Sequence, residues 1–543
     1  MGVGFLTKIR ILKTFSYFLI FASFLMGLFT FHGREILSSL QWFRGDLGDA
    51  RMVALYREHA YQYVFHQGSY YASSLLNTPW GFYPHSRIFF FTDTMLGDLW
   101  SYAMFRGMGL SPLPAQTACV ILSSVLMYGL SLFIFLKQLR VHPFVAAACA
   151  YLICFNLPRT VMQMHPQMMG GFPTVAFLAA LLAFWEHRNN KGSARIFVMV
   201  MAFCLGWQFW SSHYLGFFLL MSLIMAGFMI ALNTDRRKVA LSLIVAHKAS
   251  LVMGAVICLL LLAPYLYFYL EAMSEVGGRS TSEVSSGLPQ ITSYFAVPPE
   301  SVYWSSMNWV WRYVKPGRAP EWHMFAGFVP VLSLVMAVYF RKQLNKTAYF
   351  ALLVFLGLFF WTFASKTGYS LWMVTLPVFP GASSIRCMCR LALFLVIPAS
   401  VVMADLFRFF TQSFGAPVRG VLAGVLLLAV MIENRSDFSY GTLVSAHEER
   451  VNPMLEKLAQ LKLSRKCRSF VMERDHSASS EFFENDGMWI SLLSQTPTVH
   501  GYSGFQPVGW DIYRDRVLDL KALEKWFAQR DLKFDPISED CVL

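Results

Sequence analysis

Two aspartates near the N-terminus stand three residues apart among glycines, in the stretch Arg44-Gly45-Asp46-Leu47-Gly48-Asp49-Ala50-Arg51. Carboxylates at this spacing in a glycine-containing turn can converge on one point. Such a pair takes a proton from a hydroxyl group, or holds a divalent cation such as Mg²⁺ or Mn²⁺ against phosphate oxygens. A solvated turn explains the same residues, because Asp49 also suits the N-cap of the helix predicted over Ala50–Val64. The sequence leaves both interpretations open.

Two arginines form the second candidate group, in Ile385-Arg386-Cys387-Met388-Cys389-Arg390. A spacing of four places Arg386 and Arg390 on one face of a predicted helix. They begin a predicted membrane span on the outer side, where basic residues gain nothing from the positive-inside bias. Because arginine binds phosphate through two parallel hydrogen bonds, the pair predicts a phosphate site at headgroup level. The alternatives are snorkelling to lipid phosphates and pairing with an outer-loop aspartate.

Several other polar residues lie at the ends of apolar segments and are candidates for substrate binding. Asp93 precedes an apolar helix, so it either caps that helix or faces a site. Glu321 either reaches the same pocket as the two arginines, Arg386 and Arg390, or pairs with Arg312 or Arg318. Histidine and tyrosine residues are common at membrane interfaces, so an interfacial position alone also explains the His and Tyr candidates. The remaining candidates are His165, Gln167, His213, Tyr214 and, in the glycine-punctuated loop His500–Pro507, Tyr502.

The composition of the chain shows what kind of scaffold must position these residues. The 543 residues are 56% hydrophobic and only 14% charged, whereas a soluble protein carries roughly a quarter charged residues. Apolar runs of about 18 to 25 residues are long enough to cross a membrane as helices. The net charge of +13 does not indicate nucleic-acid binding, because the basic residues cluster at predicted helix ends rather than along a polar stripe with exposed aromatics.

The apolar runs predict an all-α polytopic membrane protein with about eleven transmembrane helices. The first span, 15–31, follows three basic residues and lacks a small-x-small cleavage site, so we predict an uncleaved signal anchor with a cytoplasmic N-terminus in the inner membrane. Basic residues then lie in alternate short loops, as the positive-inside rule requires. The further spans are predicted near 115–136, 143–158, 172–187, 196–212, 214–232, 250–270, 324–340, 347–365, 390–407 and 419–433.

This topology gives a transmembrane domain over 1–433 and three extracytoplasmic segments. The segments are a first outer loop (34–114), a second outer loop (271–323) and a C-terminal domain (434–543). The second loop begins with a Gly/Ser-rich stretch that predicts mobility. The apolar stretch Leu371–Pro380 is too short to span a membrane and predicts an interfacial or re-entrant segment.

The C-terminal domain is predicted to be a small α/β unit. Helices are expected over 452–462, Gly487–Ser494 and 519–530, with a strand over Ser469–Met472. If the domain is extracytoplasmic, Cys467 and Cys541 can form a disulfide, although the sequence does not show that they are close.

In the order of these features the chain resembles the GT-C superfamily of membrane glycosyltransferases, and more closely a set of uncharacterised bacterial multi-pass proteins related to it. The resemblance rests on the acidic first outer loop with Asp46 and Asp49, and on the stretch from Thr92-Asp93 to Leu110-Ser111-Pro112. It also rests on Pro380-Gly381 followed by Arg386 and Arg390, and on Pro497–Gly504. These short motifs are spread over most of the chain.

The resemblance implies transfer of a sugar from a polyprenyl-phosphate-linked donor to a cell-envelope glycan or glycolipid, with inversion at the sugar carbon. It implies that Asp46 or Asp49 is the catalytic base or metal ligand, and that Arg386 and Arg390 hold the lipid-linked phosphate. Two other functions remain open. A transporter or flippase of a lipid-linked precursor would need charges within the spans or a two-fold repeat. A non-catalytic envelope assembly protein would use the C-terminal domain to recruit partners.

Overall fold

The computed structural model describes residues 2–65, 74–85, 87–307, 320–379, 381–437, 440–464, 466–473, 480–514, 517–535 and 540–543, with side chains from Ser16 onward. It is mainly helical. In chain order the α-helices are α1 (Gly2–Leu37), α2 (Asp49–Phe65), α3 (Leu99–Gly107), α4 (Pro112–Phe133), α5 (Pro143–Cys154), α6 (Leu157–Val161), α7 (Phe172–His187), α8 (Lys191–Ser211), α9 (His213–Ala231), α10 (Thr234–Ala246), α11 (Lys248–Val276), α12 (Thr281–Ser286), α13 (Phe328–Tyr339), α14 (Lys346–Thr362), α15 (Leu371–Thr375), α16 (Ala392–Thr411), α17 (Ala416–Glu433), α18 (Val444–Ser464), α19 (Ser480–Ser494) and α20 (Leu520–Ala528).

The predicted fold class, a polytopic all-α membrane protein, is confirmed. Within the described part of the chain, nine helical segments are long and apolar enough to cross a membrane. They are Ser16–Leu37, Pro112–Gln138, Pro143–Met164, Pro166–His187, Lys191–Ser211, His213–Ala231, Lys248–Val276, Met388–Thr411 and Ala416–Glu433. The other two predicted spans correspond to the shorter apolar helices α13 and α14. With 12 residues, α13 is about 18 Å long, well short of a hydrocarbon core.

Local sequence signals set many of the helix starts. Proline occupies the first turn of α4, α5, α7 and α17, where its missing N–H costs nothing. Asn190 caps α8 by accepting from the N–H groups of Gly192 and Ser193. Asn345 caps α14 and is itself bound by Asp405 on α16. These caps satisfy backbone donors that the helices themselves leave unpaired.

Short strand pairs join the segments outside the apolar helices. The strands are β1 (Trp42–Arg44), β2 (Gly441–Leu443), β3 (Ser469–Val471), β4 (Tyr513–Arg514), β5 (Val517–Leu518) and β6 (Asp540–Val542). β1 pairs antiparallel with β2, β3 parallel with β6, and β4 antiparallel with β5. The predicted helices and strand of the C-terminal segment are therefore present in α18, β3, α19 and α20. The β1–β2 pair connects that segment to the first outer loop.

The C-terminal segment and the first outer loop pack together over a common core. The backbone N–H groups of Phe82 and Tyr83 donate to the carbonyls of His500 and Thr498, both at 2.8 Å. The indole of Trp489 on α19 donates to the carbonyl of Arg51 on α2. Because of these contacts, the C-terminal residues lie against the turn that carries Asp46 and Asp49.

The apolar stretch around α15 lies at the surface. Leu371 and Val374 are 59% and 73% exposed. The helix is only five residues long, too short to cross a membrane, as predicted.

Cys467 and Cys541 form a disulfide that ties β3 to the last residues of the described chain. The bond closes a loop with a sequence separation of 74. On the chain-entropy account, a loop of this length stabilises the folded state by about 4 kcal/mol. We expect Cys467→Ser/Cys541→Ser to lower the melting temperature of the C-terminal segment, measured by protease resistance of detergent-purified protein during heating. Equal resistance with and without the disulfide would contradict this.

Candidate active site

A cavity of about 240 Å³ lies where the three predicted outer segments meet the ends of the apolar helices. Its lining is mostly polar and includes aspartates, arginines, histidines and tyrosines. The lining residues are Asp49, Met52, Phe91, Thr92, Asp93, His165, Gln167, His213, Tyr214, Tyr269, Arg279, Ser384, Arg386, Arg390, Glu481, Tyr502, Ser503, Gly504 and Phe505. Most of the predicted site residues thus meet in one place. Two other predicted residues are not in the lining. Glu321 contacts the lining residues His165 and Arg390, and Asp46 lies outside the lining.

The two aspartates of the first outer loop have different environments. Asp46 accepts the N–H of Gly48 at 2.8 Å and the hydroxyl of Tyr440 at 3.3 Å, so it shapes the turn. Asp49 is the first residue of α2 and lines the cavity. Its Oδ2 lies 2.7 Å from Nδ1 of His165, and its Oδ1 accepts from the hydroxyl of Tyr502 at 2.6 Å. Asp46 is therefore bound within the turn, whereas Asp49 lines the cavity; the chemical role expected of the pair stays a prediction.

Asp49 belongs to a buried chain of alternating charges. Nε2 of His165 lies 2.9 Å from Oε1 of Glu321, and the same carboxylate forms an ion pair with Arg390. The side chains of His165, Glu321 and Arg390 are each less than 10% exposed. This charge chain, Asp49–His165–Glu321–Arg390, links four segments that are far apart in sequence. The predicted alternatives for Glu321, Arg312 and Arg318, lie outside the described residues.

The backbone around His165 explains why this residue points inward. Between α5 and α7 the chain forms the short helix α6 and two 3₁₀ turns, Met162–Met164 and Pro166–Met169. Pro166 removes a backbone donor just after His165, and an α-helix cannot continue through that point. The stretch 157–171 is almost wholly buried. The predicted spans 143–158 and 172–187 leave this stretch as a short loop, whereas the structure contains an irregular buried segment that presents His165 and Gln167 to the cavity.

The charge chain sets the protonation of its members. Burial alone opposes ionisation of Asp49, but His165 and the Tyr502 hydroxyl outweigh it and lower the pKa of Asp49 to about 2. Burial and Arg390 disfavour the charged form of His165, yet its two carboxylate neighbours raise its pKa to about 8. Burial also opposes ionisation of Glu321, but Arg390 and His165 hold its pKa well below the usual range. At neutral pH the site therefore contains an imidazolium between two carboxylates.

This arrangement predicts a loss of stability at alkaline pH. A pKa raised from 6.5 to about 8 corresponds to about 2 kcal/mol of stability. The contribution is fully present below pH 6.5 and disappears as the pH rises through 8. We expect the melting temperature of the wild type to fall between pH 7 and 9, and that of His165→Asn to fall much less. Parallel pH curves for the two proteins would contradict the assignment.

The two arginines do not share a helical face, contrary to the sequence prediction. The backbone at Cys387 is extended, and the helical turns on either side of it, Ala382–Ser384 and Met388–Leu391, are both short 3₁₀ turns. Arg390 is buried against the ring of Tyr214, 4.5 Å from its centroid, and is paired with Glu321. Arg386 is exposed in the cavity lining. Among the described residues, no carboxylate lies within ion-pair distance of Arg386.

Asp93 and His213 are connected through a helix start. Asp93 accepts the backbone N–H of His213, so it caps α9 and not the helix that follows it in sequence. Burial raises the pKa of Asp93 to about 6. The imidazole of His213 bonds to the hydroxyls of Ser384, at 2.7 Å, and Tyr265, at 2.9 Å. The hydroxyl of Tyr214 accepts the backbone N–H of Arg386.

The loop that carries Tyr502 is held by a buried histidine. Nε2 of His500 accepts the N–H of Met472, so its Nδ1 carries the proton and donates to Glu484 at 3.0 Å. Gly487 on α19 allows the loop to approach closely, because a Cβ there would lie 2.6 Å from His500. The C-terminal segment thereby fixes the position of Tyr502, whose pKa is raised by burial and by the charge of Asp49.

Some cavity residues were missed by sequence reasoning. Arg279 lies in the Gly/Ser-rich stretch predicted to be mobile, yet its N–H donates to the carbonyl of Ser383 at 2.9 Å. Its guanidinium pairs with Glu283 and lies 4.0 Å from the ring of Phe505. A lone arginine among glycines and serines was the available signal. The other missed residues are Met52, Phe91, Thr92, Tyr269, Ser384, Glu481, Ser503, Gly504 and Phe505.

The aspartate pair does not fit a divalent cation in the observed arrangement. Asp46 is bound within its turn, and both oxygens of Asp49 already have partners. The described residues include no group of three or more His, Cys, Asp and Glu side chains placed to hold a metal ion.

Several solved structures are similar to the chain, among them two of ArnT. No family model and no curated protein matches the chain. The chain is similar to the crystal structure of ArnT from Cupriavidus metallidurans bound to undecaprenyl phosphate, with 12% sequence identity and a TM-score of 0.44, covering 92% of this chain and 90% of that one. For ArnT in the apo state the identity is 12%, the TM-score is 0.40, and the coverage is 96% and 91%.

Proposed function

We propose that the chain is a membrane glycosyltransferase that moves a sugar from a polyprenyl-phosphate-linked donor to a cell-envelope glycan or glycolipid, on the extracytoplasmic face. One observation carries the proposal: an ionised carboxylate, Asp49, lines the same cavity as Arg386, an arginine with no carboxylate partner among the described residues, at the ends of the apolar helices. A carboxylate can accept the proton of an attacking hydroxyl, and an arginine can stabilise the charge of a leaving phosphate. A donor anchored by a lipid reaches such a cavity from the membrane.

The reaction follows from these two groups. The hydroxyl oxygen of the acceptor bonds to the anomeric carbon of the sugar, and the bond from that carbon to the phosphate oxygen breaks. The hydroxyl proton goes to Asp49, and the phosphate leaves with the bonding electrons. Arg386 stabilises the charge that builds on the phosphate, which is where a fixed cation contributes most. Direct displacement of this kind inverts the configuration of the anomeric carbon.

The low pKa of Asp49 is compatible with this role. A carboxylate with a pKa of about 2 is a weak base toward a resting hydroxyl. Glycosyl transfer, however, passes through an oxocarbenium-like transition state, and the attacking hydroxyl becomes strongly acidic as its oxygen bonds to carbon. A permanently ionised, well-oriented carboxylate is then sufficient. His165 and Tyr502 orient it, and the Asp49 side chain remains 27% exposed.

A reconstituted transfer assay tests the proposal. Purified protein in nanodiscs would receive polyprenyl phosphate sugars labelled in the sugar, together with envelope glycolipid or glycan acceptors. We expect label to leave the prenyl lipid and appear in the acceptor, at a rate that depends on both Asp49 and Arg386. In vesicles, movement of intact labelled lipid between leaflets without cleavage of the sugar–phosphate bond would instead show a transporter.

A further inference from the structure

Two buried polar side chains in the cavity have hydrogen-bonding capacity that the protein does not use. Gln167 is only 5% exposed, and its Oε1 has no hydrogen-bond partner among the described residues. Asp93 is 6% exposed, and the described residues give its carboxylate one hydrogen bond, from the N–H of His213. Leaving buried polar groups unpaired is costly. The cavity therefore suits a ligand that donates hydrogen bonds to these two side chains, as hydroxyl groups do.

The neighbouring wall of the cavity is aromatic. The rings of His213 and Tyr269 are stacked, with centroids 4.8 Å apart and planes 19° apart. Hydrogen bonds between the two ring nitrogens of His213 and the hydroxyls of Ser384 and Tyr265 fix the orientation of this ring. A sugar ring combines hydroxyl groups on its edge with apolar C–H groups on its faces, and so matches a polar pair next to an aromatic wall. The cavity volume of about 240 Å³ is below that of sites for drug-sized ligands, about 300 Å³ and more.

We infer that Gln167 and Asp93 recognise hydroxyl groups of the transferred sugar, and that this sugar is a single unit without an acidic group. The inference rests on the proposed function, because it places the sugar of the donor in the same cavity. The Gln167 amide both donates and accepts, whereas Asp93 accepts, so together they suit two hydroxyls. The carboxylate of Asp93 repels a uronic acid, which gives the site a further means of selection.

The chain offers a matched control for Gln167. Gln163 lies one turn earlier in the same buried segment and is 2% exposed. Its amide atoms likewise have no hydrogen-bond partner among the described residues. Gln163 lines a separate small cavity with His32, Glu35 and Arg44 behind the segment. Gln167→Leu and Gln163→Leu thus remove the same group from the same backbone, but only the first alters the candidate active site.

The experiment measures how much a sugar adds to the binding of a short-chain prenyl phosphate. The probes are citronellyl phosphate and its mannosyl, glucosyl, galactosyl and glucuronosyl esters, with single-deoxy analogues of the sugar that binds best. Binding to full-length protein in nanodiscs is measured by native mass spectrometry. We expect at least one neutral sugar to tighten binding about tenfold or more over the bare phosphate, and glucuronosyl not to do so.

The variants then decide the assignment. Gln167→Leu should reduce the contribution of the sugar to less than threefold and leave binding of bare citronellyl phosphate unchanged, while Gln163→Leu should retain the full contribution. Asp93→Asn, which keeps an oxygen to cap α9, should lose part of the contribution and accept the glucuronosyl ester. A deoxy analogue that binds the wild type more weakly than the parent sugar, because it lacks the hydroxyl bound by Gln167, should bind Gln167→Leu as tightly as the parent sugar does.

A sugar contribution that survives in both Gln167→Leu and Asp93→Asn overturns the inference. Failure of the wild type to bind bare citronellyl phosphate would count against the proposed function itself.

Discussion

Asp49→Asn should abolish sugar transfer while the protein remains folded. An asparagine has nearly the same shape, but it cannot take the proton of the acceptor hydroxyl. Loss of a general base costs about 10²–10⁴-fold in rate, so we expect the rate of label transfer in nanodiscs to fall by at least about 10²-fold. The melting temperature, measured by intrinsic tryptophan fluorescence, would show that the variant retains its fold.

Asp46→Asn is the matched control because it removes the same charge from the same turn. Asp46 does not line the cavity, and its contacts are to Gly48 and Tyr440. We expect transfer within about threefold of the wild type, as for other surface changes away from a site. If Asp49→Asn were as active as the wild type, the catalytic role assigned to Asp49 would be wrong. If Asp46→Asn lost as much activity as Asp49→Asn, both aspartates of the turn would be needed for transfer, and the role could not be assigned to Asp49 alone.

The membrane part of the fold was predictable because its signals are local. A helix in lipid must satisfy its own backbone hydrogen bonds, so a long apolar run is itself the element. Each predicted span therefore has an apolar helix at the expected place. Where a predicted span was longer than the observed helix, as at α13, the apolar run continued through residues that are not helical in the structure. The strand pair β1–β2 was not predictable, because its partners lie about 400 residues apart.

The candidate site was predictable only as a set of residues. In the sequence, each of these residues lies near a helix end, where a cap or an interfacial contact explains it equally well: Asp49, His165, Glu321 and Arg390. Their pairing depends on the packing of the outer segments, which no local pattern reveals. The spacing of Arg386 and Arg390 even suggested the wrong geometry, because the extended backbone at Cys387 and the 3₁₀ turn that contains Arg390 break the helical period.

Arg386 and Arg390 should therefore fail in different ways when replaced by glutamine. Arg386 is exposed and has no carboxylate partner among the described residues. Losing its hydrogen bonds to a charged phosphate should raise the KM for the donor about 10- to 100-fold. Its stability should change by no more than about 0.5 kcal/mol, the usual range for surface positions. Donor titrations and melting curves on the same nanodisc preparation measure both quantities.

Arg390→Gln should instead destabilise the protein. It leaves the buried carboxylate of Glu321 without its guanidinium partner, and breaking a buried ion pair costs about 3–5 kcal/mol. His165 remains as a partner of Glu321, so we expect a loss near the lower value, about 3 kcal/mol.

A second substitution separates a structural role of Arg390 from contact with phosphate. In Arg390→Gln/Glu321→Gln the uncompensated charge is gone, so the melting temperature should recover much of the loss. If Arg390 affects the donor only through the charge chain, the KM for the donor in the double variant should also return toward the wild-type value. A double variant that regains stability but keeps a KM as high as that of Arg386→Gln would show that both arginines touch the phosphate, as their spacing in the sequence first suggested. Equal stability of Arg390→Gln and the wild type would mean that the buried ion pair does not hold the charge chain together.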